Sequence, residues 1–283
     1  MSINAFMLLR QYIHSVCGMH VADDKEYLVH QRLAPVAERH GCQTLDDFAQ
    51  LLRTDSGAEL RADVIGAMTT AETSFFRDLH PWHALEKHVL PELTEKVRPR
   101  LHPERHTGRR LRFWSAASAT GQEAFSLAIL IDEYIKSHPG QRLEPGDFEI
   151  IGTDICKGVV ERSRTGVYSA YEMSRNISTE RKENYFRRDG DAFAVSENLR
   201  RMVDFREANL VSAFPVNEPF DIILCRNLLI YFDIGIKRRM FEHFHSVLRD
   251  DGYLLLGATE NAYGMTDRFV SHRIGDTILY RKA

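Results

Sequence analysis

Residues Leu111–His138 read LRFWSAASATGQEAFSLAILIDEYIKSH. The apolar run from Leu111 to Ala117 has the pattern of a strand buried on both faces. Four small residues follow, Ser118-Ala119-Thr120-Gly121, and from Gln122 to Lys136 the apolar side chains fall at helical spacing: Phe125, Ala128, Ile129, Ile131 and Ile135. Strand, small-residue turn and helix form the opening unit of a nucleotide-type site in an open α/β sheet. Small residues let a ligand approach the backbone. Glu123, in the first helical turn, can accept a hydrogen bond from a cationic ligand group. The turn is neither GxGxxG nor a P-loop, because no Lys follows Gly121. Taken alone, the stretch is equally compatible with a strand-to-helix turn that serves only packing.

The alternation continues downstream. DFEIIGTDI, residues 147–155, predicts a second strand ending in Asp154, and residues 157–165 a short helix. Residues 168–198 are polar and broken, with a helix predicted over 180–186 and a small hairpin at Asp189-Gly190-Asp191. Residues 202–208 predict a third strand. FDIILC at Phe220–Cys225 predicts a fourth, followed by Arg226, Asn227 and a helical run past Tyr231 to Leu248. YLLLGA after Gly252 predicts a fifth strand, and residues 269–274 and 277–280 two short ones around Gly275-Asp276. The expected fold is a doubly wound α/β sheet with a C-terminal β-hairpin. In such sheets an acid at the end of the second strand binds ribose hydroxyls, which points to Asp154, and the ends of strands one, two and four form the ligand crevice. The plainer alternatives are that Asp154 is a helix N-cap and Tyr231 ordinary core.

Residues 1–72 read as an all-α unit, with 73–283 as the sheet domain. Helices are predicted from Asn4 to Cys17, from an Asp23/Glu26 capping box toward Gly41 with a kink at Pro35, from Thr44, and over 59–68. Lys25, Arg32 and Arg39 recur every seven residues and share a helix face, drifting about 20° per step. That face is either merely solvated or a basic stripe for an acidic partner helix. Any such attraction is local, since residues 1–72 hold six basic and ten acidic side chains. Residues 82–97 predict another helix. His80, His83 and His88 lack carboxylates or cysteines at metal-ligand spacing, so no metal is expected. Between Thr94 and Arg112, seven basic residues with Pro99 and Pro103 read as a solvated loop.

Composition bounds the function. The 283 residues are 43% apolar and 27% charged with a net charge of -3, as in a soluble globular protein, and give no global case for nucleic acid. Cys17, Cys42, Cys156 and Cys225 are widely spaced with no CxxC, which suggests reduced thiols in a cytosol. No signal peptide or membrane span is read, so a cytoplasmic protein is expected.

Four stretches in this order carry a family resemblance: TTAETSFFRD (Thr69–Asp78), FWSAASATGQEAFSLA (Phe113–Ala128), GTDI (Gly152–Ile155) and FDIILCRNLLIYFD (Phe220–Asp233), with GATEN (Gly257–Asn261) in support. Almost end to end, the chain closely resembles the chemotaxis-receptor glutamate methyltransferases of the CheR type, which use S-adenosylmethionine. The resemblance implies a helical N-terminal receptor-docking domain, a class I methyltransferase sheet and a small antiparallel flap at about 168–200. It makes Thr73 and Arg77 cofactor-site residues. Ala71 stands where the family's T-x-N-x-T pattern has Asn, so one amide contact is missing. Glu123 matches the acid facing the methionine amino group and Asp154 the ribose-binding acid. Asn209 and Leu210 match positions beside adenine, Arg226 and Asn227 the turn lining the cofactor, and Tyr231 the tyrosine beside the transferred methyl. The stripe Lys25, Arg32 and Arg39 falls in the domain the family uses for docking.

The chemistry this implies asks little of the protein. A glutamate, with an ordinary pKa of about 4.3, is already a nucleophile at neutral pH. Positioning and partial desolvation remain, and Arg77 is the candidate to orient the carboxylate, with Tyr231 beside it. Two other readings stand next to this one: a module that binds S-adenosylmethionine without turnover, and a different Rossmann enzyme. The expected partner is the helical cytoplasmic region of chemoreceptors, met by a monomer. A tether to the receptor's C-terminus is not expected, because the Tyr185–Val195 connection is short, with a single Gly190.

Overall fold

The computed structural model describes residues 1–54, 57–97, 110–212 and 216–283. The apolar run becomes β1 (Leu111–Ala116), buried at every residue. The remaining strands are β2 (Phe148–Asp154), β3 (Val167–Ser169), β4 (Phe186–Asp189), β5 (Ala192–Val195), β6 (Val203–Glu207), β7 (Phe220–Cys225), β8 (Leu248–Leu256), β9 (Phe269–Ile274) and β10 (Thr277–Lys282). Seven of them make one sheet in the order β6-β2-β1-β7-β8-β10-β9. The first five are parallel, and the C-terminal hairpin β9–β10 adds antiparallel to β8. With a side-chain period of two, Phe113 faces one layer and Trp114 the other, both at 0% exposure. Trp114 stacks on Phe220 at 5.2 Å, and its indole N–H donates to Thr153 Oγ1 at 2.9 Å.

Helices cover both faces. α1 (Ile3–Cys17), α2 (Glu26–Arg39), α3 (Leu45–Thr54) and α4 (Ala58–Met68) pack around a core of their own that includes Leu9, Ile13, Val29, Leu33 and Phe48. The capping box expected at Asp23 and Glu26 does not form. A 3-10 turn, Asp23–Lys25, precedes α2 instead, and the Asp23 carboxylate pairs with Arg10. α2 continues through Pro35, whose missing donor leaves the helix unbroken, and Gly41 beyond its end takes φ +76. The capping exchange is found at Thr44 and Asp47, at the start of α3.

The helix expected over 82–97 begins earlier and is not uniform. It comprises α5 (His80–Ala84), a π-turn at Leu85–Val89 and α6 (Leu90–Val97). α7 (Gln122–Ser137) and α12 (Ile234–Val247) pack on opposite faces of the large sheet. α8 (Lys157–Thr165), α9 (Ala170–Met173), α10 (Thr179–Tyr185) and α11 (Glu197–Arg200) complete the set. The run past Tyr231 splits into a 3-10 turn, Leu229–Tyr231, and α12, because Asp233 caps the new helix by accepting from Ile236 N–H at 2.9 Å. The expected flap hairpin gains a third strand, giving the order β3-β5-β4. Tyr168 in β3 donates to the Thr120 carbonyl at 2.9 Å, and Phe75 meets the rings of Tyr168 and Phe186 at 5.0 and 5.2 Å. The basic segment between Thr94 and Arg112 lies mostly outside the described residues. Its last member, Arg112, is no loop residue: it sits in β1 and pairs with Glu149. Among the described residues, no helix is long and apolar enough to cross a membrane.

Candidate active site

β1 lies between β2 and β7, so the chain winds outward from it in both directions. At such a switch point the strand ends diverge and leave a crevice. Here the carboxyl ends of β1, β2, β6 and β7 open into one cleft of about 1000 Å3, mouth included.

The turn after β1 shapes its floor. Ala117, Ala119 and Gly121 take φ of 59°, 48° and 94°, tolerable because the first two carry only a methyl group. Ser118 N–H donates to the Thr153 carbonyl at 2.7 Å, fastening the turn to β2. A Cβ at Gly152 would lie 2.6 Å from the Phe205 ring, so this close approach of strand and side chain requires glycine.

Glu123, on the first turn of α7, is 8% exposed. Ser115 Oγ donates to one of its oxygens at 2.8 Å, and Arg226 Nη1 to the other at 3.1 Å. Arg226, just past β7, has a side chain only 2% exposed. Its Nη2 donates to the Asp78 carboxylate at 2.7 Å and to the Arg77 carbonyl at 2.9 Å. Arg226 thus clamps the ends of β1 and β7 to the turn at Phe75–Asp78. That turn is strained, with Phe76, Asp78 and Leu79 at φ of 48°, 70° and 53°, and it is anchored by two fully buried phenylalanines.

Arg77 differs from its neighbours. Its guanidinium makes one hydrogen bond among the described residues, a 3.3 Å donation to the Glu72 carbonyl, and it lines the cleft. The acids beside it are engaged elsewhere, Asp78 with Arg226 and Glu72 with Arg175. Asp154, at the end of β2, accepts from Ala119 N–H at 3.1 Å and Cys156 N–H at 3.0 Å. Burial pushes its carboxyl above the usual aspartate range, and the backbone donors offset this only in part.

Across the cleft, Asn227 sits at φ 58° and donates its N–H to Glu260 at 2.8 Å. The same Glu260 oxygen accepts from Gly257 N–H at 2.8 Å, tying the end of β7 to the end of β8. Asn227 Oδ1 is buried without a hydrogen-bond partner among the described residues. Asn209 donates to the Val16 carbonyl at 2.9 Å, and it lines the cleft with Ala71, Thr73, Leu210 and Tyr231. All ten cofactor-side and catalytic candidates read from the sequence therefore border one cleft. The stripe does not. Arg32 donates to the Met68 carbonyl and to Thr70 Oγ1 (2.9 Å), bracing the segment that leads into the cleft wall. Lys25 rests on Asp24 at 3.4 Å and Arg39 on Asp63 at 3.5 Å.

Sequence reasoning missed the part played by the end of α1. Cys17 and Met19 line the cleft, Met19 bridges to Phe232, and His20 N–H donates to the Tyr231 carbonyl at 2.8 Å. Burial raises the Cys17 thiol pKa. Nothing local marks these residues, because the contacts join segments some 200 positions apart. Glu260 had a signal, the GATEN stretch, but its role as a tie between two strand ends appears only when the sheet is assembled.

Residues 4–69 match the family model described as "CheR methyltransferase, all-alpha domain", and residues 71–276 the one described as "CheR methyltransferase, SAM binding domain". The chain is 37% identical to "Chemotaxis protein methyltransferase 1" of Pseudomonas aeruginosa, covering 98% of this chain and 97% of that one. It is 37% identical to "Chemotaxis protein methyltransferase" of Vibrio parahaemolyticus (96% and 94% covered) and 35% to "Chemotaxis protein methyltransferase Cher2" of Pseudomonas putida (98% and 97% covered). With both family models matched in order over nearly all of its length, the chain belongs to the CheR methyltransferase family, enzymes that draw their methyl group from S-adenosylmethionine.

Proposed function

We propose that this protein transfers a methyl group from S-adenosylmethionine to glutamate side-chain carboxylates of chemoreceptors, forming methyl esters. The observation that carries the proposal is the Arg77 guanidinium: it borders the cleft, and every acid beside it is held by another arginine. A guanidinium in that condition is ready to hold a carboxylate in two parallel hydrogen bonds.

The residues present fit the cofactor. The turn after β1 offers small side chains, with Ala117 and Ala119 lining the cleft, as a nucleoside resting on it requires. Glu123 supplies a buried acid for the cofactor's ammonium group, and the partnerless Oδ1 of Asn227 is an acceptor for a second of its hydrogens. Asp154 would take the ribose hydroxyls, with Asn209 and Leu210 beside the base and Thr73 on the near wall. When bound, the cofactor supplies an electrophilic methyl on a sulfonium with a good leaving group.

The chain's own residues then position. Arg77 orients the incoming carboxylate, and Tyr231 stands beside the path of the methyl. The cleft walls strip water from the nucleophile, which is ionised at neutral pH and needs no base. The experiment is incorporation of labelled methyl from S-adenosylmethionine into a chemoreceptor cytoplasmic fragment. Base-labile label on glutamate that falls sharply with Arg77→Ala is the expected result. Tight cofactor binding with no incorporation would return the chain to a binding module.

A further inference from the structure

Met19 belongs to two hollows at once. It lines the cleft, and it also lines a second hollow of about 690 Å3 that runs along α1 past Met7, Arg10, Gln11 and His14. Those four positions, spaced i, i+3, i+4 and i+7, form one face of α1, while Phe6, Leu9, Ile13 and Val16 on the other side fill the helical core. This second hollow therefore leads along an uncovered helix face to a residue that lines the cleft. Toward its cleft end stands His14, whose Nε2 meets Asp233 Oδ2 at 2.8 Å where α12 begins.

The wall beyond that point has an unusual composition for a protein surface. Ile230 and Ile234, on either side of the Tyr231–Asp233 segment, are 55% and 56% exposed. Lys237 and Arg238, three and four residues past Ile234, lie on the same side of α12. Neither has an acidic partner among the described residues, unlike Lys25 and Arg39, and α12 has no acid in its first turn. Exposed branched apolar side chains next to unpaired cations are a costly surface for a chain to carry without a partner.

We infer that this face, formed by α1 and the start of α12, seats the methyl-accepting segment as an acidic amphipathic helix. The inference rests on the proposed receptor-glutamate activity. The helix covers Met7, Ile230 and Ile234 with its apolar stripe and sets its carboxylates against Lys237 and Arg238. One glutamate then passes over Met19 into the cleft, toward Arg77 and Tyr231. Charge complementarity and continuity with the cleft select this occupant. The α2 stripe offers neither, since Lys25 and Arg39 are matched by Asp24 and Asp63, Arg32 is engaged by the Met68 carbonyl and Thr70, and none of the three lines the cleft.

The test compares three variants on one receptor cytoplasmic fragment: Met7→Glu, the pair Ile234→Glu with Arg238→Glu, and the pair Lys25→Glu with Arg39→Glu. The altered side chains are surface ones, so folding is not at risk. The first two variants are expected to raise the apparent KM for the fragment about tenfold and to flatten the salt dependence of kcat/KM. Turnover at saturating fragment and S-adenosylhomocysteine affinity by calorimetry stay unchanged. An unchanged KM in both, or a rise confined to the Lys25/Arg39 pair, overturns the surface while leaving the activity standing. A wild-type chain that binds cofactor but methylates no fragment removes the receptor reading and this one with it.

Discussion

The two arginines that border the cleft are held on opposite principles. At the clamp, Glu123, Arg226 and Asp78 are paired: one buried guanidinium serves two carboxylates and a carbonyl, and nearby Glu260 takes two backbone donors. Arg77 spends its guanidinium on one long bond to a carbonyl. Residues 77 and 226 are the same amino acid bordering the same space, and their hydrogen-bond inventories separate their roles. Arg226 holds the shape of the site, and Arg77 has hydrogen-bonding capacity left over.

That contrast is broken most directly at Arg226. Arg226→Ala strands the buried Glu123 without its cation, and loss of one partner from a buried ionic group costs about 3–5 kcal/mol. Thermal or denaturant unfolding should show a drop of that order, with cofactor binding lost as well. A stability change under about 1 kcal/mol would mean the clamp is not structural.

Arg77→Ala should do the reverse. Trp82 Nε1 and Arg226 both bond to the residue-77 backbone carbonyl, which alanine keeps. Stability is therefore expected to stay within about 0.5 kcal/mol, while methyl transfer falls about a hundredfold. Equal losses of both would erase the distinction between the two arginines.

Asp154 lies between these extremes. Asp154→Ala should weaken S-adenosylmethionine binding by about 1–3 kcal/mol in a calorimetric titration. Its pH behaviour follows from burial. With the folded value raised, its protonated form is the one the empty fold favours, a stabilisation fully present below the ordinary aspartate range and lost as pH rises through the folded value. Ribose binding needs the ionised form, so wild-type affinity should decline on acidification at a higher pH than an unperturbed aspartate would give. The Asp154→Ala variant should lack that inflection.

Smaller effects sharpen the picture. Ala71→Asn restores the amide expected at that position, and cofactor affinity should rise by about 1 kcal/mol. Removing the receptor's last residues should change methylation less than about twofold, since this reading gives the flap no tethering role. Micromolar binding of a receptor C-terminal peptide, lost on mutating β4, would reverse it.

Much of the architecture follows from periodicity. The buried runs at 111–116, 148–154 and 220–225, each followed by a helix or turn, imply parallel strands with a crevice at their carboxyl ends, because both the runs and the turns are local signals. The methyltransferase fold and its cofactor were legible only through the family resemblance, carried by motifs a few residues long. What misled was also local. Asp23 and Glu26 have capping-box spacing, yet Arg10, thirteen residues away, captures Asp23 and a 3-10 turn forms instead.

The sequence by itself determined the order of strands and helices, the small turn after β1 and the acids at the strand ends, since each depends on side-chain period or residue size within one segment. Only the tertiary structure decided which arginine is locked and which is free, that Arg32 braces a connecting segment, and that the end of α1 completes the cleft. These depend on charges and surfaces brought together from distant parts of the chain, where the nearest partner in space, not in sequence, takes the hydrogen bond.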